Sequence, residues 1–171
     1  MRAARNHVLP WVVAMATLVV GCATASTRAP PPAGAGDEVL VTKVTDGDTI
    51  HVTYLSRDER VRLIGIDTPE VPWYGGKGEC FGVEAGLFSR GRLAGRSVRL
   101  AFDTDRRDRY GRLLAYVYVR SELFNLTLVS LGYARADPVA PDTRRAAEFA
   151  RAEAQARAAG RGLWAACPAE P

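Results

Sequence analysis

The chain has 171 residues, of which 47% are hydrophobic and 25% are charged. This length allows one domain with a real hydrophobic core, and the composition is ordinary for a globular protein. The net charge of +4 includes Arg2 and Arg5, and without them 21 basic residues face 19 acidic ones. This excess of basic residues is too small to indicate nucleic-acid binding by itself.

Residues 1–21 are typical of a bacterial lipoprotein signal peptide. Arg2 and Arg5 precede an apolar run over residues 8–20, which has the length of a signal-peptide core and is too short for a comfortable membrane span. The run ends in Val-Val-Gly-Cys, which resembles a lipobox, so Cys22 is the predicted site of lipidation and the membrane anchor. An ordinary signal peptide cleaved near residues 23–25 is the alternative.

Both interpretations of the N-terminus predict an exported protein. With a lipid on Cys22, it is an envelope lipoprotein of the outer membrane and periplasm or of the cell surface. With an ordinary signal peptide, it is secreted.

The three cysteines fit this interpretation. Lipidation of Cys22 leaves Cys80 and Cys167 as an even pair in an exported domain, where disulfides persist. We therefore predict a disulfide between Cys80 and Cys167, with two free thiols as the alternative.

Residues 22–37 are rich in Ala, Pro, Gly, Ser and Thr and are predicted to form a flexible linker. The folded domain is expected over residues 38–168. Runs of strand-forming residues between turn signals predict five strands, over residues 39–44, 49–55, 60–66, 97–102 and 113–119.

Three helices are predicted, over residues 80–94, 123–131 and 143–159. Asp142 is the expected N-cap of the last helix, and Trp164 is expected to be a buried plug beneath it. Five short strands, with a helix after the third and helices at the end, predict an α+β fold: a five-stranded OB-fold β-barrel with three α-helices.

Residues 61–70 begin as a strand and end in a cluster of charges. Arg62, Asp67 and Glu70 lie within nine residues of one another, beside the stiff turn at Pro69. Alternation along a strand places Arg62 and Asp67 on opposite faces. Both side chains can reach one site only if the strand bulges or ends between them, and we predict that irregularity near Gly65.

Asp48 and Asp67 are candidate metal ligands, together with the carbonyl of Thr68. Calcium binds hard oxygen ligands, and Pro69 favours an extended Thr68 whose carbonyl is held outward. So few protein ligands predict a weak site with several waters, which leaves positions for a substrate phosphate. Taken alone, the Asp46-Gly47-Asp48 segment is more typical of a plain hairpin turn.

Arg62, Arg112 and Glu70 are the candidate catalytic residues for cleavage of a phosphodiester. A guanidinium group can bind the phosphate oxygens with two parallel hydrogen bonds and stays charged at all relevant pH values. Glu70 is the candidate general base that orients or deprotonates a water. Taken alone, Glu70 is more typical of a surface turn. The alternative for Arg62 is a solvated strand position, and the alternative for Arg112 is one of many arginines in an arginine-rich composition.

The motifs together resemble the thermonuclease family, meaning staphylococcal-nuclease-like domains. The resemblance covers residues 39–164 approximately. It rests on five motifs in order, which are Asp46-Gly47-Asp48-Thr49, then Arg62-Leu63 with Asp67-Thr68-Pro69-Glu70, Gly82-Val83-Glu84-Ala85, Asp108-Arg109-Tyr110-Gly111-Arg112 and Gly162-Leu163-Trp164.

The resemblance implies a calcium-dependent nuclease that acts on DNA and RNA by in-line attack of water, leaving 3′-phosphate and 5′-hydroxyl ends. The catalytic residues it implies are Arg62, Glu70 and Arg112. The calcium ligands it implies are Asp48, Asp67 and Thr68, with Asp46 as an acidic neighbour. The residues it implies for contact with the terminal phosphate of the nucleotide are Arg109 and Tyr110.

The sequence departs from the best-known family pattern after the second helix. Two tyrosines that help to hold the substrate base are absent from residues 134–137, and Tyr133 lies earlier. A non-catalytic nucleic-acid-binding OB module is the alternative function, because many OB-folds bind strands without cutting them. The complete set of charged residues favours the enzyme, which we expect to be a monomer.

Overall fold

The computed structural model describes residues 36–74 and 76–168. The predicted signal peptide, Cys22 and most of the predicted linker lie outside the described residues. Across the described part, no helix is long and apolar enough to cross a membrane. The first strand begins at Asp37, which the sequence had assigned to the end of the linker.

Eight strands occur among the described residues. In chain order they are β1 (Asp37–Val44), β2 (Thr49–Tyr54), β3 (Arg57–Leu63), β4 (Gly65–Asp67), β5 (Ser97–Ala101), β6 (Leu113–Val119), β7 (Glu122–Leu123) and β8 (Arg135–Asp137). The helices are α1 (Gly82–Leu93), α2 (Phe124–Ser130), α3 (Ala146–Ala158) and the four-residue α4 (Leu163–Ala166), with one 3-10 turn at Pro72–Tyr74.

Five of these strands form a closed barrel. Antiparallel pairing runs in the order β3, β2, β1, β5 and β6, and β6 then pairs with β3 in parallel, with Val61 opposite Leu113. Closure removes the exposed strand edges that a small open sheet would leave. The predicted five-stranded OB-fold barrel is therefore confirmed. Outside it, β4 and β8 form a separate two-stranded ribbon.

The core fills the barrel and extends beneath the helices. Alternate residues of β2 and β3 point inward, and Ile50, Val52 and Val61 are fully buried. At the end of the barrel, Phe124 of α2 and Phe149 of α3 are fully buried as well. Burial of this apolar surface stabilises the closed arrangement that brings β3 beside β6.

Two expectations about the C-terminal helices are wrong. Asp142 does not cap α3, which begins at Ala146; its Oδ1 instead accepts hydrogen bonds from the N–H groups of Thr104 (2.8 Å) and Asp105 (2.9 Å). Trp164 is only half-buried, and the buried residue of α4 is Leu163. The Trp164 ring lies instead beneath the guanidinium of Arg157, 4.2 Å away.

The predicted disulfide is present. Cys80 lies just before α1, and Cys167 lies just after α4, with 5.8 Å between their Cα atoms. The bond joins positions 87 residues apart along the chain. It therefore ties the C-terminal tail to the loop that leads from β4 into α1.

Candidate active site

The strand break predicted near Gly65 is present, and it allows Arg62 to reach Asp67. β3 ends at Leu63 and β4 begins at Gly65, whose φ is +78°. A side chain there would be strained, and a Cβ would lie 2.5 Å from Cε2 of Phe149. Because the alternation of side chains is reset at this break, Nη2 of Arg62 lies 2.7 Å from Oδ1 of Asp67.

Arg62 lies between two carboxylates. Its Nη1 donates a hydrogen bond to Oδ1 of Asp48, in the turn that precedes β2. Its Nη2 donates to Oδ1 of Asp67 and to the Ile66 carbonyl oxygen. Burial lowers the pKa of Arg62, but the facing carboxylates outweigh this and raise it, so the guanidinium stays charged. The positive charge of Arg62 is thus fixed where two negative charges converge.

Asp48 is almost fully buried, at 1% exposure, and orders the backbone of the site. Its Oδ2 accepts hydrogen bonds from the N–H group (2.8 Å) and the hydroxyl (2.9 Å) of Thr68. Burial raises the pKa of Asp48 to about 7, although Arg62 opposes this rise. Since Thr68 belongs to the segment after β4, Asp48 holds the two predicted metal-binding segments together.

Asp46 shapes the turn that carries Asp48. Its Oδ1 accepts hydrogen bonds from the N–H groups of Asp48 (3.0 Å) and Thr49 (2.6 Å). This is the side-chain-to-backbone pattern of an Asx turn. The family resemblance implies that Asp46 is an acidic neighbour of the metal; the structure shows that it fixes the turn.

The donor set of this cluster suits a hard, hydrated cation such as calcium. It consists of the carboxylates of Asp48 and Asp67 and the main chain of Thr68, all of which offer oxygen. Among residues 36–74 and 76–168, no three side chains of the types Asp, Glu, His and Cys converge as a metal centre. Asp67 is about half exposed, which leaves room for water around a cation held by so few protein ligands.

Arg112 lies at the start of β6 and is held in place by Asp108. Oδ2 of Asp108 accepts a hydrogen bond from Nε of Arg112 (2.6 Å), and Oδ1 accepts from its backbone N–H (2.9 Å). Within the described residues, the two terminal nitrogens of Arg112 have no hydrogen bond to a protein group. They remain available to an anionic ligand.

Both arginines line one cavity of about 580 Å³, a volume suited to a small ligand such as a nucleotide. Closure of the barrel creates this proximity, because Arg62 of β3 and Leu114 of β6 are paired across the parallel ladder. Arg109 and Tyr110 line the same cavity; Nη2 of Arg109 donates to the Tyr110 hydroxyl at 2.6 Å. Four predicted site residues are therefore assembled around one space.

The far wall of the cavity is formed in part by Asp137 and Val139. Tyr133 does not reach it, because its ring stacks on Phe88 with 4.3 Å between the ring centres. Among the described lining residues, Tyr110 is the only aromatic one, and it is 62% exposed. The described cavity wall thus lacks a pair of tyrosines, as the sequence does after the second helix.

Glu70 follows the predicted metal-binding segment but does not line the cavity. Burial raises its pKa, and the negative charges of Asp46 and Glu79 raise it further, while Arg62 opposes the rise. Glu70 is therefore within electrostatic range of the Arg62 cluster. Its backbone N–H donates to Oε2 of Glu79, 3.0 Å away.

Sequence reasoning missed two supporting carboxylates. Asp108 has a local signal, because an Asp at the start of the turn Asp-Arg-Tyr-Gly commonly accepts hydrogen bonds from the following N–H groups. Glu79 has no such signal, since its contact with Glu70 crosses a loop. Trp73, which lies in the same loop, is half-buried and donates a hydrogen bond to the Thr45 carbonyl (2.9 Å).

Comparison of the sequence with known proteins finds a matching family and several relatives. The family model described as "Staphylococcal nuclease homologue" matches residues 60–166. The thermonuclease of Staphylococcus intermedius is 38% identical over 129 residues, which make up 75% of this chain and 77% of that protein. The thermonuclease of Staphylococcus hyicus is 37% identical over 124 residues, which make up 72% and 73% of the two chains.

A third relative comes from another genus. The SPbeta prophage-derived endonuclease YokF of Bacillus subtilis (strain 168) is 36% identical over 129 residues, which make up 74% of this chain and 44% of that protein. The region matched by the family model begins in β3 and ends with α4. It therefore contains Arg62, Glu70 and Arg112.

Proposed function

Because the chain belongs to the staphylococcal nuclease family and is a nuclease, we propose that it cuts DNA and RNA in a calcium-dependent reaction that leaves 3′-phosphate and 5′-hydroxyl ends. The observation that carries this proposal is the position of Arg62, between the carboxylates of Asp48 and Asp67 and on the wall of a cavity shared with Arg112. The Arg62 guanidinium thus joins the two carboxylates, which do not themselves line the cavity, to a space of nucleotide size.

The two arginines bind the scissile phosphate. Negative charge on the phosphate oxygens increases in the transition state, and preorganised guanidinium donors stabilise it. Arg112 is preorganised because Asp108 holds its Nε and backbone N–H, so its terminal nitrogens do not have to be ordered on binding. Arg62 is ordered by the two carboxylates on its other side.

The calcium ligands are the carboxylates of Asp48 and Asp67 and the carbonyl of Thr68. When bound, the ion supplies positive charge that neutralises the phosphate and polarises its P–O bonds. Asp48 fixes the spacing of this set because its hydrogen bonds order Thr68. Asp46 fixes the turn that presents Asp48.

Glu70 orients the attacking water and accepts its proton. As the water oxygen bonds to phosphorus, the bond from phosphorus to the 5′-oxygen breaks. The phosphate stays on the 3′-oxygen, and the 5′-oxygen takes up a proton from solvent to become the 5′-hydroxyl. The raised pKa of Glu70 brings the carboxylate closer to the basicity that a general base needs near neutral pH. Arg109 and Tyr110 contact a terminal phosphate of the nucleotide at the exposed rim.

A cleavage assay with the purified protein tests this proposal. We expect single-stranded DNA and RNA to be cut with calcium and to remain intact with a calcium chelator. The new 5′ ends should accept phosphate from polynucleotide kinase without prior phosphatase treatment. Cleavage that persists in chelator, or new ends that carry a 5′-phosphate, would contradict it.

The N-terminal sequence supports an exported lipoprotein anchored through Cys22, and the protein is expected to be a monomer. Metabolic labelling with a radioactive fatty acid should mark the native protein and leave Cys22→Ser unlabelled, and only the native protein should sediment with membranes. Equal labelling of both proteins would exclude the anchor. Light scattering of the purified protein should give the mass of one chain.

A further inference from the structure

We propose that Glu79 is a positioning residue for Glu70, and that the disulfide between Cys80 and Cys167 holds Glu79 in that role. Nuclease turnover then depends on these two cysteines being oxidised to the disulfide. The inference rests on the proposed catalytic role of Glu70. It adds a residue and a covalent bond through which that role is maintained.

Glu79 binds the backbone of Glu70 on both sides. The Glu70 N–H donates to Oε2 of Glu79 at 3.0 Å, and the Glu79 N–H donates to the Glu70 carbonyl oxygen at 2.9 Å. The first bond is charge-assisted, because its acceptor is a carboxylate. The two bonds close the loop between these residues at its base, so the place of Glu70 is set by the place of Glu79.

The start of α1 packs directly on this base. The Gly82 N–H donates to the Glu79 carbonyl oxygen at 3.1 Å. A Cβ at Gly82 would lie 2.0 Å from the Glu70 carbonyl oxygen, so only glycine permits the approach. Glu70, Glu79 and the first residue of α1 thus form one contiguous unit.

The disulfide ties this unit to the other end of the chain. Cys80 is the neighbour of Glu79, and its partner Cys167 follows α4. α4 is anchored in turn, because Leu163 is buried and its N–H donates to the Gly132 carbonyl oxygen at 2.9 Å. The position of Glu79 is thereby fixed by the C-terminal helix α4 as well as by its own loop.

Cys80 is exposed, so a dithiol reductant can reach the bond. Reduction transfers two electrons and two protons to the disulfide and leaves two thiols, while the reductant itself becomes a disulfide. The barrel and its hydrophobic core do not contain this bond and are expected to stay folded. What is lost is the tie between α4 and Glu79, and with it the fixed position of Glu70.

Four variants of the full chain test the inference: Glu79→Ala, Glu79→Gln, Cys80→Ser combined with Cys167→Ser, and Glu84→Ala as a control. Glu84 is an exposed acidic residue in the first turn of α1 and has no place in the unit. With calcium saturating, kcat of Glu79→Ala should fall about tenfold or more with little change in KM, because a misplaced base slows the chemical step. Glu79→Gln should retain most of the activity, since its amide oxygen still accepts from the Glu70 N–H.

The disulfide acts through Glu79, so its effect should disappear when Glu79 is absent. Dithiothreitol should lower kcat of the wild-type protein and leave kcat of the double serine variant unchanged. A fifth variant, which combines Glu79→Ala with Cys80→Ser and Cys167→Ser, should have the same kcat as Glu79→Ala alone. Additive losses would contradict the proposed connection.

Hydrogen exchange of the Glu70 amide tests the same geometry without the use of activity. Protection should be high in the oxidised wild-type protein and lower by about tenfold or more in Glu79→Ala and after reduction. Equal protection in all three would overturn the inference, as would a wild-type protein that cleaves no faster than Glu79→Ala. A protein that shows the protection pattern but never cleaves nucleic acid with calcium would instead refute the proposed function.

Discussion

Asp108 holds Arg112 through two hydrogen bonds, one to Nε (2.6 Å) and one to the backbone N–H (2.9 Å). The first of these fixes the plane of the guanidinium, and the second fixes the start of β6. Arg112 lines the cavity, and its terminal nitrogens are therefore held there in a fixed orientation. A residue outside the predicted catalytic set thus determines how one of its members is presented.

Replacing Asp108 by Asn should weaken catalysis while leaving the fold intact. The Asn amide offers one acceptor oxygen where the carboxylate offers two, so the Arg112 Nε or backbone N–H loses its partner. We expect kcat/KM to fall about tenfold to a hundredfold, as for other losses of orientation in an active site. Asp58→Asn is the matched control, because Asp58 is a hydrogen-bonded carboxylate outside the cavity. Equal activity of the two variants would contradict the role of Asp108.

Asp108 also predicts how stability depends on pH. Burial alone would raise the pKa of Asp108, but the hydrogen bonds from Arg112 outweigh it and leave the pKa below its usual value. A carboxylate with a lowered pKa in the folded state stabilises the protein above its unfolded pKa of about 3.9, and this contribution is lost as pH falls through the lowered value. The difference in free energy of unfolding between wild type and Asp108→Asn should therefore shrink below about pH 4. Urea titrations at pH 2.5 to 6 measure it; a difference that grows at low pH would be the wrong sign.

Gly65→Ala should destabilise the protein and disturb the site. The substitution places a side chain at a φ of +78° and a Cβ 2.5 Å from the Phe149 ring. A cost of about 1–3 kcal/mol in the free energy of unfolding is expected from the backbone alone. Gly91→Ala in α1 is the control, because nothing lies within 4 Å of its Cβ position, and it should stabilise by about 0.5–1 kcal/mol. Similar changes in the free energy of unfolding of both variants would show that the backbone conformation at position 65 does not require glycine.

Arg62→Ala should cost more stability than the loss of a surface arginine. Asp48 is almost fully buried, and without Arg62 it loses the facing charge that compensates its burial. Breaking such a pair from one side costs about 3 kcal/mol or more. Arg92→Ala, which removes a partly exposed ion pair with Glu122, should cost under about 1 kcal/mol. Chemical unfolding of both variants without added metal gives the comparison, and equal losses would contradict the structural role of Arg62.

The features predicted best from the sequence are those encoded by local patterns. The alternation in β2 and β3 indicated strands, and the faces assigned to Arg62 and Asp67 required the break that occurs at Gly65. The barrel itself followed from the number and order of short strands. Its closing pair, β3 with β6, could be expected from the fold class but not from any residue of either strand.

The errors and omissions involve tertiary contacts that no local sequence pattern encodes. Asp142 has the composition of an N-cap, yet the loop after β5 provides it with two N–H groups that compete for the same carboxylate. Trp164 was expected to be buried because of its size, but Leu163 fills the core and Arg157 covers the tryptophan ring. Glu79 carries no local sequence signal, because its partner, Glu70, approaches it only when the loop closes.

The most direct test of the site is a double-mutant cycle on Arg62 and Arg112, measured as single-turnover cleavage of an oligonucleotide with calcium and corrected for the folded fraction. Each single change to Ala should lower the cleavage rate about a hundredfold to a thousandfold, as for other lost transition-state donors. The double variant should lose much less than the product of the two effects, because both guanidinium groups act on one phosphate at one cavity. Single variants that cleave within twofold of the wild-type rate, or effects that multiply fully, would contradict a shared site.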